Sequence, residues 1–273
     1  MLEEKTMVEQ KDQLGNYLKN KAQQHKLFIP YLTFGYPSVS VFSRLIEICQ
    51  EVGVDALEVG IPHSDPVADG PIIQSSSQKA LAQGVDPRLV QEQLTEMSVD
   101  FPLAAMTYGN IVFQYGFSRF AEDYRKAGFG GLIVADFPVE ADSFLDQARA
   151  YLSVILLASV TTSPSRLAEI AQKSQGFVYL VSGRGVTGNT QAEEEDLKKA
   201  VALIKSHTDL PVLIGFGINT PSKAKKVAQL ADGVIVGSAL IQVLEEKEKE
   251  KEEIITQAFR QELLAYREAL SYK

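Results

Sequence analysis

The stretch ALEVGIPHSDPVADGP, residues 56–71, begins as a buried strand and ends as a polar loop. Its apolar start shows no polar alternation, and a strand covered on both faces belongs to a parallel sheet with helices on either side. Glu58 interrupts that pattern. Taking an ionised carboxylate out of water is costly unless a partner or a shifted pKa compensates, so a glutamate at an inward strand position points to proton transfer. Asp69 follows on a loop rich in Pro, Gly, Ser and Asp and supplies a second carboxylate able to reach the same cavity.

Outward from residues 55–60, similar short apolar runs recur at 28–34, 102–108, 130–136, 153–159, 176–182, 211–217 and 232–237. Between them, segments such as 39–52, 87–97, 117–127, 140–150, 165–174, 193–207 and 221–231 carry apolar residues at three- and four-residue spacing, which predicts helices. Eight βα units in series predict a single α/β domain over residues 1–273, a (β/α)8 TIM barrel. A doubly wound open sheet is the structural alternative. Residues 2–26 read as an extra leading helix closing the N-terminal end of the barrel, and residues 257–272 as a final amphipathic helix. The run EEKEKEKEE, residues 245–253, reads as a solvated helix or linker.

Composition sets the outer bounds. With 45% hydrophobic and 23% charged residues the chain fits a soluble globular class. A net charge of -8 disfavours nucleic acid and anionic membrane surfaces as partners. The polar N-terminus lacks the apolar core of a secretory signal, and no run reaches the length of a membrane span, so a cytoplasmic protein is expected. The single cysteine, Cys49, lies on an amphipathic helical stretch and reads as a small buried apolar residue.

Barrel chemistry sits at the C-terminal ends of the strands. Those ends, at 33–35, 58–60, 107–110, Asp136, Ser182, 215–217 and 237–238, carry no lysine and no histidine. A Schiff-base aldolase and a metal-dependent aldolase each lose their principal residue, so no metal site is expected. His25 and His207 read as surface residues, and His63, beside the carboxylates, as an incidental loop residue. By contrast, GFGINTP (215–221) and GSAL (237–240) each run from a strand through glycine into a helix start, where backbone N–H groups lack helical partners and bind anions. GVTG, residues 185–188, adds a third glycine loop. Together they predict a phosphate site, and amides with helix dipoles let an acidic protein hold an anionic substrate.

LEVGIPHSDPVADGP, YLVSGRGVTG, GFGI and GSA, in this order and spacing, resemble the α subunit of tryptophan synthase over essentially the whole chain. The resemblance implies a (β/α)8 barrel that reversibly cleaves indole-3-glycerol phosphate to indole and glyceraldehyde 3-phosphate, in tryptophan biosynthesis. It places Glu58 and Asp69 at the two catalytic carboxylates. Gly188, Gly217, Gly237 and Ser238, with Phe216 alongside, fall at the phosphate-binding positions, and Tyr31, Met106 and Tyr179 at the indole pocket. Thr187 corresponds to the threonine that bonds the second carboxylate when the loop after strand six closes. This chain departs from the family pattern at Gly183, where relatives have arginine and Arg184 comes one position later, and at His63, where an aromatic is usual.

Two acids suffice for such a cleavage. Protonating indole C3 builds positive charge on the ring nitrogen, which Asp69 stabilises by accepting the N–H hydrogen bond, while Glu58 takes the glycerol hydroxyl proton and is also a candidate to deliver the C3 proton. The resemblance further implies an α2β2 complex, in which pyridoxal phosphate belongs to the β subunit and no cofactor to this chain. Asp65, Pro66, Asn110 and Pro138 would lie on the contact surface, although Asp65 before Pro66 also reads as a plain turn residue. A free-standing indoleglycerol-phosphate lyase and a non-catalytic, phosphate-binding regulatory barrel are the alternatives; the presence of both carboxylates disfavours the second.

Overall fold

A computed structural model describes residues 12–182 and 191–271. Among the described residues nine parallel strands form one sheet, in the order β5-β4-β3-β2-β1-β9-β8-β7-β6. The strands are β1 Leu27–Thr33, β2 Leu57–Gly60, β3 Leu103–Thr107, β4 Phe129–Val134, β5 Ser153–Ile155, β6 Leu157–Ser159, β7 Val178–Val181, β8 Val212–Gly215 and β9 Gly233–Val236. The two ends of this order, β5 and β6, are consecutive in the chain with only Leu156 between them, so the sheet closes into a barrel.

The expected strand 153–159 is thus two short ladders. β5 pairs with β4 and β6 with β7, because a tilted strand in a closed barrel meets its neighbours at staggered heights. Leu156 is the handover, and its carbonyl accepts from Tyr179 N at 3.2 Å. All seven residues of β1 are buried, as both-face coverage requires.

Helices cover the outside. Val39–Val52, Pro87–Glu96, Phe117–Lys126, Pro164–Lys173, Gln191–Lys205 and Pro221–Ala228 fall where the apolar spacing predicts them. Two further helices, Pro71–Ala82 and Gly109–Tyr115, were not expected. The serine-rich PIIQSSSQKALA blurs the period of the first, and its one local signal is Pro71 at the first helical position after Gly70. The expected helix 140–150 reduces to a 3-10 turn, Val139–Ala141, and a short helix, Asp142–Leu145. Leu145 and Ala148 are buried as the spacing implies, but Arg149 turns to bond the Lys173 carbonyl and the Gln175 side chain.

The N-terminal end of the barrel is closed by the Gln13–Ala22 helix. Asp12 caps it by accepting from Gly15 N, and also accepts from Ser153 Oγ at 2.6 Å and Gly176 N at 3.0 Å. Leu14 lies against the backbone of Gly131 and Gly176, where a side chain would collide with it. Residues 2–11 of the expected leading helix lie outside the described residues. His25, expected at the surface, is instead partly buried, because its Nε2 lies 2.6 Å from the buried Asp55 carboxylate, which Arg267 and Phe28 N also bond.

The final helix, Glu252–Leu270, starts earlier than expected because Glu252 and Glu253 occupy its first turn, where negative charge favours the helix dipole. The acidic run 245–253 is more than a solvated linker. Glu245 and Glu248 bind Lys79 at 3.1 and 2.6 Å, and Tyr36 donates to Glu248 at 2.9 Å, joining the Pro71–Ala82 and Ser238–Lys247 helices. Among the described residues no helix is long and apolar enough to cross a membrane.

Candidate active site

Glu58 lies on β2 with Tyr31 as its register partner on β1 and Ala104 on β3. It is 2% exposed, and its Oε2 has no hydrogen-bond partner. Burial, reinforced by the charge of Asp69, pushes the Glu58 carboxyl up to about 8.

Asp69 stands on the turn that follows β2, where its N–H bonds the Pro66 carbonyl and its own carbonyl accepts from Gln74 Nε2 at 2.9 Å. Tyr108, at the end of β3, donates to Asp69 Oδ2 at 2.8 Å and accepts from Ala68 N at 3.2 Å. Burial raises the Asp69 carboxyl to about 6, against the downward pull of the Tyr108 bond and of His63. The His63 ring stacks on Tyr108 at 4.9 Å, so it supports the acid's neighbour and is not incidental.

The two carboxylates open into one pocket of about 540 Å³, counted out to its mouth, a size suited to a small organic ligand. Tyr31, Met106, Tyr179, Phe216, Gly217, Gly237 and Ser238 line it, so the structure brings these expected residues together with Glu58 and Asp69. Ile73, Ile218, Asn219 and Ile235 also line it and were not expected. Their contribution depends on which way loop and strand side chains turn, which local pattern does not encode.

Glycines make room for the two tyrosines. A Cβ at Gly60 would overlap the Tyr31 hydroxyl, and one at Gly215 the Tyr179 ring. Both aromatic side chains therefore lie across the barrel mouth over a neighbouring strand's bare backbone.

At the far wall the chain turns sharply after β8. Phe216 adopts φ 70°, rare for a side chain with a Cβ, and Gly217 φ 69°. Ser182 Oγ holds the strained residue by donating to the Phe216 carbonyl at 2.8 Å. Alongside, the helix Ser238–Lys247 starts at Gly237 without a side-chain cap, and Gly237 and Ser238 both line the pocket; an uncapped helix start of this kind suits an anion.

Thr187 and Gly188, with Gly183 and Arg184, lie outside the described residues. Asp65, Asn110 and Pro138 are exposed, whereas Pro66 is buried. Asp65 closes a local turn, its N–H bonding His63 Nδ1 and its carboxylate accepting from Ser64 Oγ. On the same rim Val67 is 78% and Phe113 66% exposed, with Phe144 close behind. Among the described residues no group of His, Cys, Asp and Glu is placed to hold a metal ion.

Comparison with known proteins points to one family. Residues 17–268 match the family described as tryptophan synthase alpha chain. The tryptophan synthase alpha chain of Petrotoga mobilis is 41% identical over 234 residues, covering 84% of this chain and 91% of that protein. The crystal structure of tryptophan synthase subunit alpha from Legionella pneumophila superposes with a TM-score of 0.85 at 34% identity, covering 95% of this chain and 98% of that one. A structure of Mycobacterium tuberculosis tryptophan synthase gives a TM-score of 0.84 at 34% identity, covering 96% and 99%.

Proposed function

Because this chain belongs to the tryptophan synthase alpha chain family, lyases that cleave indole-3-glycerol phosphate, we propose that Glu58 and Asp69 carry out that cleavage as a complementary acid pair. The observation that carries this reading is one pocket lined by two carboxyls in unlike surroundings, Glu58 buried with an unpartnered oxygen and Asp69 held by Tyr108, so that burial pushes Glu58 up to about 8 and Asp69 only to about 6. At neutral pH the first keeps its proton and the second is ionised.

Glu58 delivers its proton to indole C3, and Asp69 accepts the ring N–H bond as positive charge builds on that nitrogen. The now ionised Glu58 takes the proton of the glycerol hydroxyl as the carbon-carbon bond breaks, releasing indole and an aldehyde and restoring the starting state. The phosphate is assigned to the backbone amides around Gly217, Gly237 and Ser238, with Phe216 beside them, and the indole ring to the wall formed by Tyr31, Met106 and Tyr179. Thr187 and Gly188 complete the site in the same reading. No step requires a cofactor on this chain, and residues 1–273 are read as one barrel domain.

A β subunit is the partner this family implies. An α2β2 assembly in the cytoplasm, with pyridoxal phosphate on the β chain, is the form we assign. Exposed Val67 and Phe113, on the rim that carries Asp65 and Asn110, favour this over a free-standing lyase, since large apolar side chains left in water mark a contact surface.

The test is Glu58→Gln. Cleavage should disappear in an indole-release assay while affinity for a phosphate-bearing substrate analogue stays within a few fold, because the amide cradle lies on other strands. Near-normal turnover would refute the assignment.

A further inference from the structure

Behind the Tyr31 wall of the pocket runs a buried chain of oxygen atoms. Tyr31 Oη lies 3.3 Å from Thr33 Oγ1, Thr33 Oγ1 2.6 Å from Ser76 Oγ, and Ser76 Oγ 2.8 Å from the Ile73 carbonyl. Thr33 and Ser76 are essentially inaccessible to solvent.

The chain has one polarity. A carbonyl only accepts, and each hydroxyl owns a single proton. Ser76 therefore donates to Ile73, Thr33 to Ser76, and Tyr31 to Thr33. With its proton directed away, the Tyr31 oxygen presents only lone pairs to the pocket.

The titratable groups that act on Tyr31 are acids and phenols, and Tyr179 faces the same groups from β7. Register places Glu58 directly beside Tyr31 on the adjacent strand. Asp69, Glu58 and Tyr108 act electrostatically on Tyr31, while Asp69 is itself held by Tyr108 and lies near His63. From the helix behind, Lys79 reaches outward to Glu245 and Glu248 and is engaged there. A tyrosine O–H turned into this cluster would bond a carboxylate and favour its ionised form; a tyrosine oxygen offering lone pairs favours a protonated carboxyl.

We propose that Thr33 and Ser76 are positioning residues for the cleavage: by taking up the Tyr31 proton they keep that O–H from turning to the carboxylates, and so help Glu58 hold the proton that it delivers. This rests on the acid-pair reading above. Neither residue touches the substrate. Their effect passes through Tyr31, and the pH dependence of the reaction reports it.

The experiment is kcat/KM for indole release against pH in the full chain. Thr33→Val removes the acceptor for Tyr31, whose O–H then turns to the carboxylate pair. The alkaline limb should move to lower pH by about one unit, the size expected of one hydrogen bond to a charged group. Thr33→Ser should restore the original limb. In a Tyr31→Phe background, Thr33→Val should move nothing.

An unmoved limb in Thr33→Val, or the same shift with and without the Tyr31 hydroxyl, would overturn the proposal. If Glu58→Gln is inactive while the Thr33→Val limb stays in place, only the relay fails; if Glu58→Gln cleaves normally, the acid-pair reading fails. Should Thr33→Val fold poorly, Ser76→Ala frees the Thr33 proton and must shift the limb in the same direction by less. For variants too slow to assay, the infrared band of protonated Glu58, identified by its loss in Glu58→Gln, is titrated directly. A midpoint unchanged from the parent protein sinks the relay.

Discussion

Glu58 and Asp69 carry the same functional group, and their surroundings separate them. Asp69 has a Tyr108 proton and His63 to offset its burial; Glu58 has an unpartnered oxygen and a neighbouring negative charge. In the proposed acid pair the productive form has Asp69 ionised and Glu58 protonated. A bell-shaped kcat/KM profile is therefore expected, rising through about 6 and falling through about 8, the two limbs belonging to the pair as a unit. Initial indole-release rates across pH 5–9.5 check this, and a flat profile would contradict it. The same burial makes Glu58 a stability liability. Its carboxyl is raised on folding, so the folded chain binds more protons than the unfolded chain between the ordinary carboxylate range and about 8, and stability falls as pH rises through that window. Glu58→Gln should melt near the parent temperature at pH 4 and several degrees above it at pH 8.5. Calorimetry at the two pH values decides the matter.

Among the elements, the strands divide their glycines between packing and function. At Gly233 an added Cβ would strike the backbone carbonyl of Leu27 on β1, where nothing can give way. At Gly215 it would strike the Tyr179 ring, which can swing into the pocket. Gly233→Ala should lower stability by about 2–3 kcal/mol, read as a fall in Tm, with little change in KM. Gly215→Ala should do the reverse, holding Tm and raising KM by roughly tenfold, since the displaced ring occupies substrate space. Equal effects at both positions would show that Tyr179 is as immobile as backbone. The turn after β8 belongs to the same scale. Phe216 tolerates a left-handed conformation because Ser182, one strand over, ties its carbonyl, so strain at the site is offset from a neighbouring element.

The whole molecule has two ends with different duties. Its N-terminal end is fastened by two carboxylates: partly buried Asp12 ties the leading helix to Ser153 and Gly176, and buried Asp55 gathers His25, Phe28 N and Arg267. Its C-terminal end holds the pocket and leaves Val67 and Phe113 in water. If that rim receives a β subunit, Phe113→Asp should leave basal indole release unchanged and weaken stimulation by added β subunit about tenfold, as for a central apolar contact. A titration of β subunit into the variant gives the answer, and unchanged stimulation would move the contact elsewhere. The barrel was legible beforehand from eight apolar runs with helical spacing between them, because strands buried on both faces have no polar alternation to hide them. Glu58 and the glycine turns stood out for a similar reason: a charge in an apolar run and a glycine before a helix are local anomalies.

What lies between those anomalies was not legible. Tyr108 reads as an ordinary strand end, Thr33 and Ser76 as unremarkable hydroxyls, and His25 as a surface residue. The sequence by itself determined that this chain closes a parallel barrel with an acid near one mouth, since periodicity and burial of apolar side chains are local and additive. Only the tertiary structure decided that Tyr108 supports Asp69, that Tyr31 lies over Gly60, and that Thr33 and Ser76 stand in line behind its hydroxyl, because those contacts join residues from different elements and follow from sheet register and barrel closure.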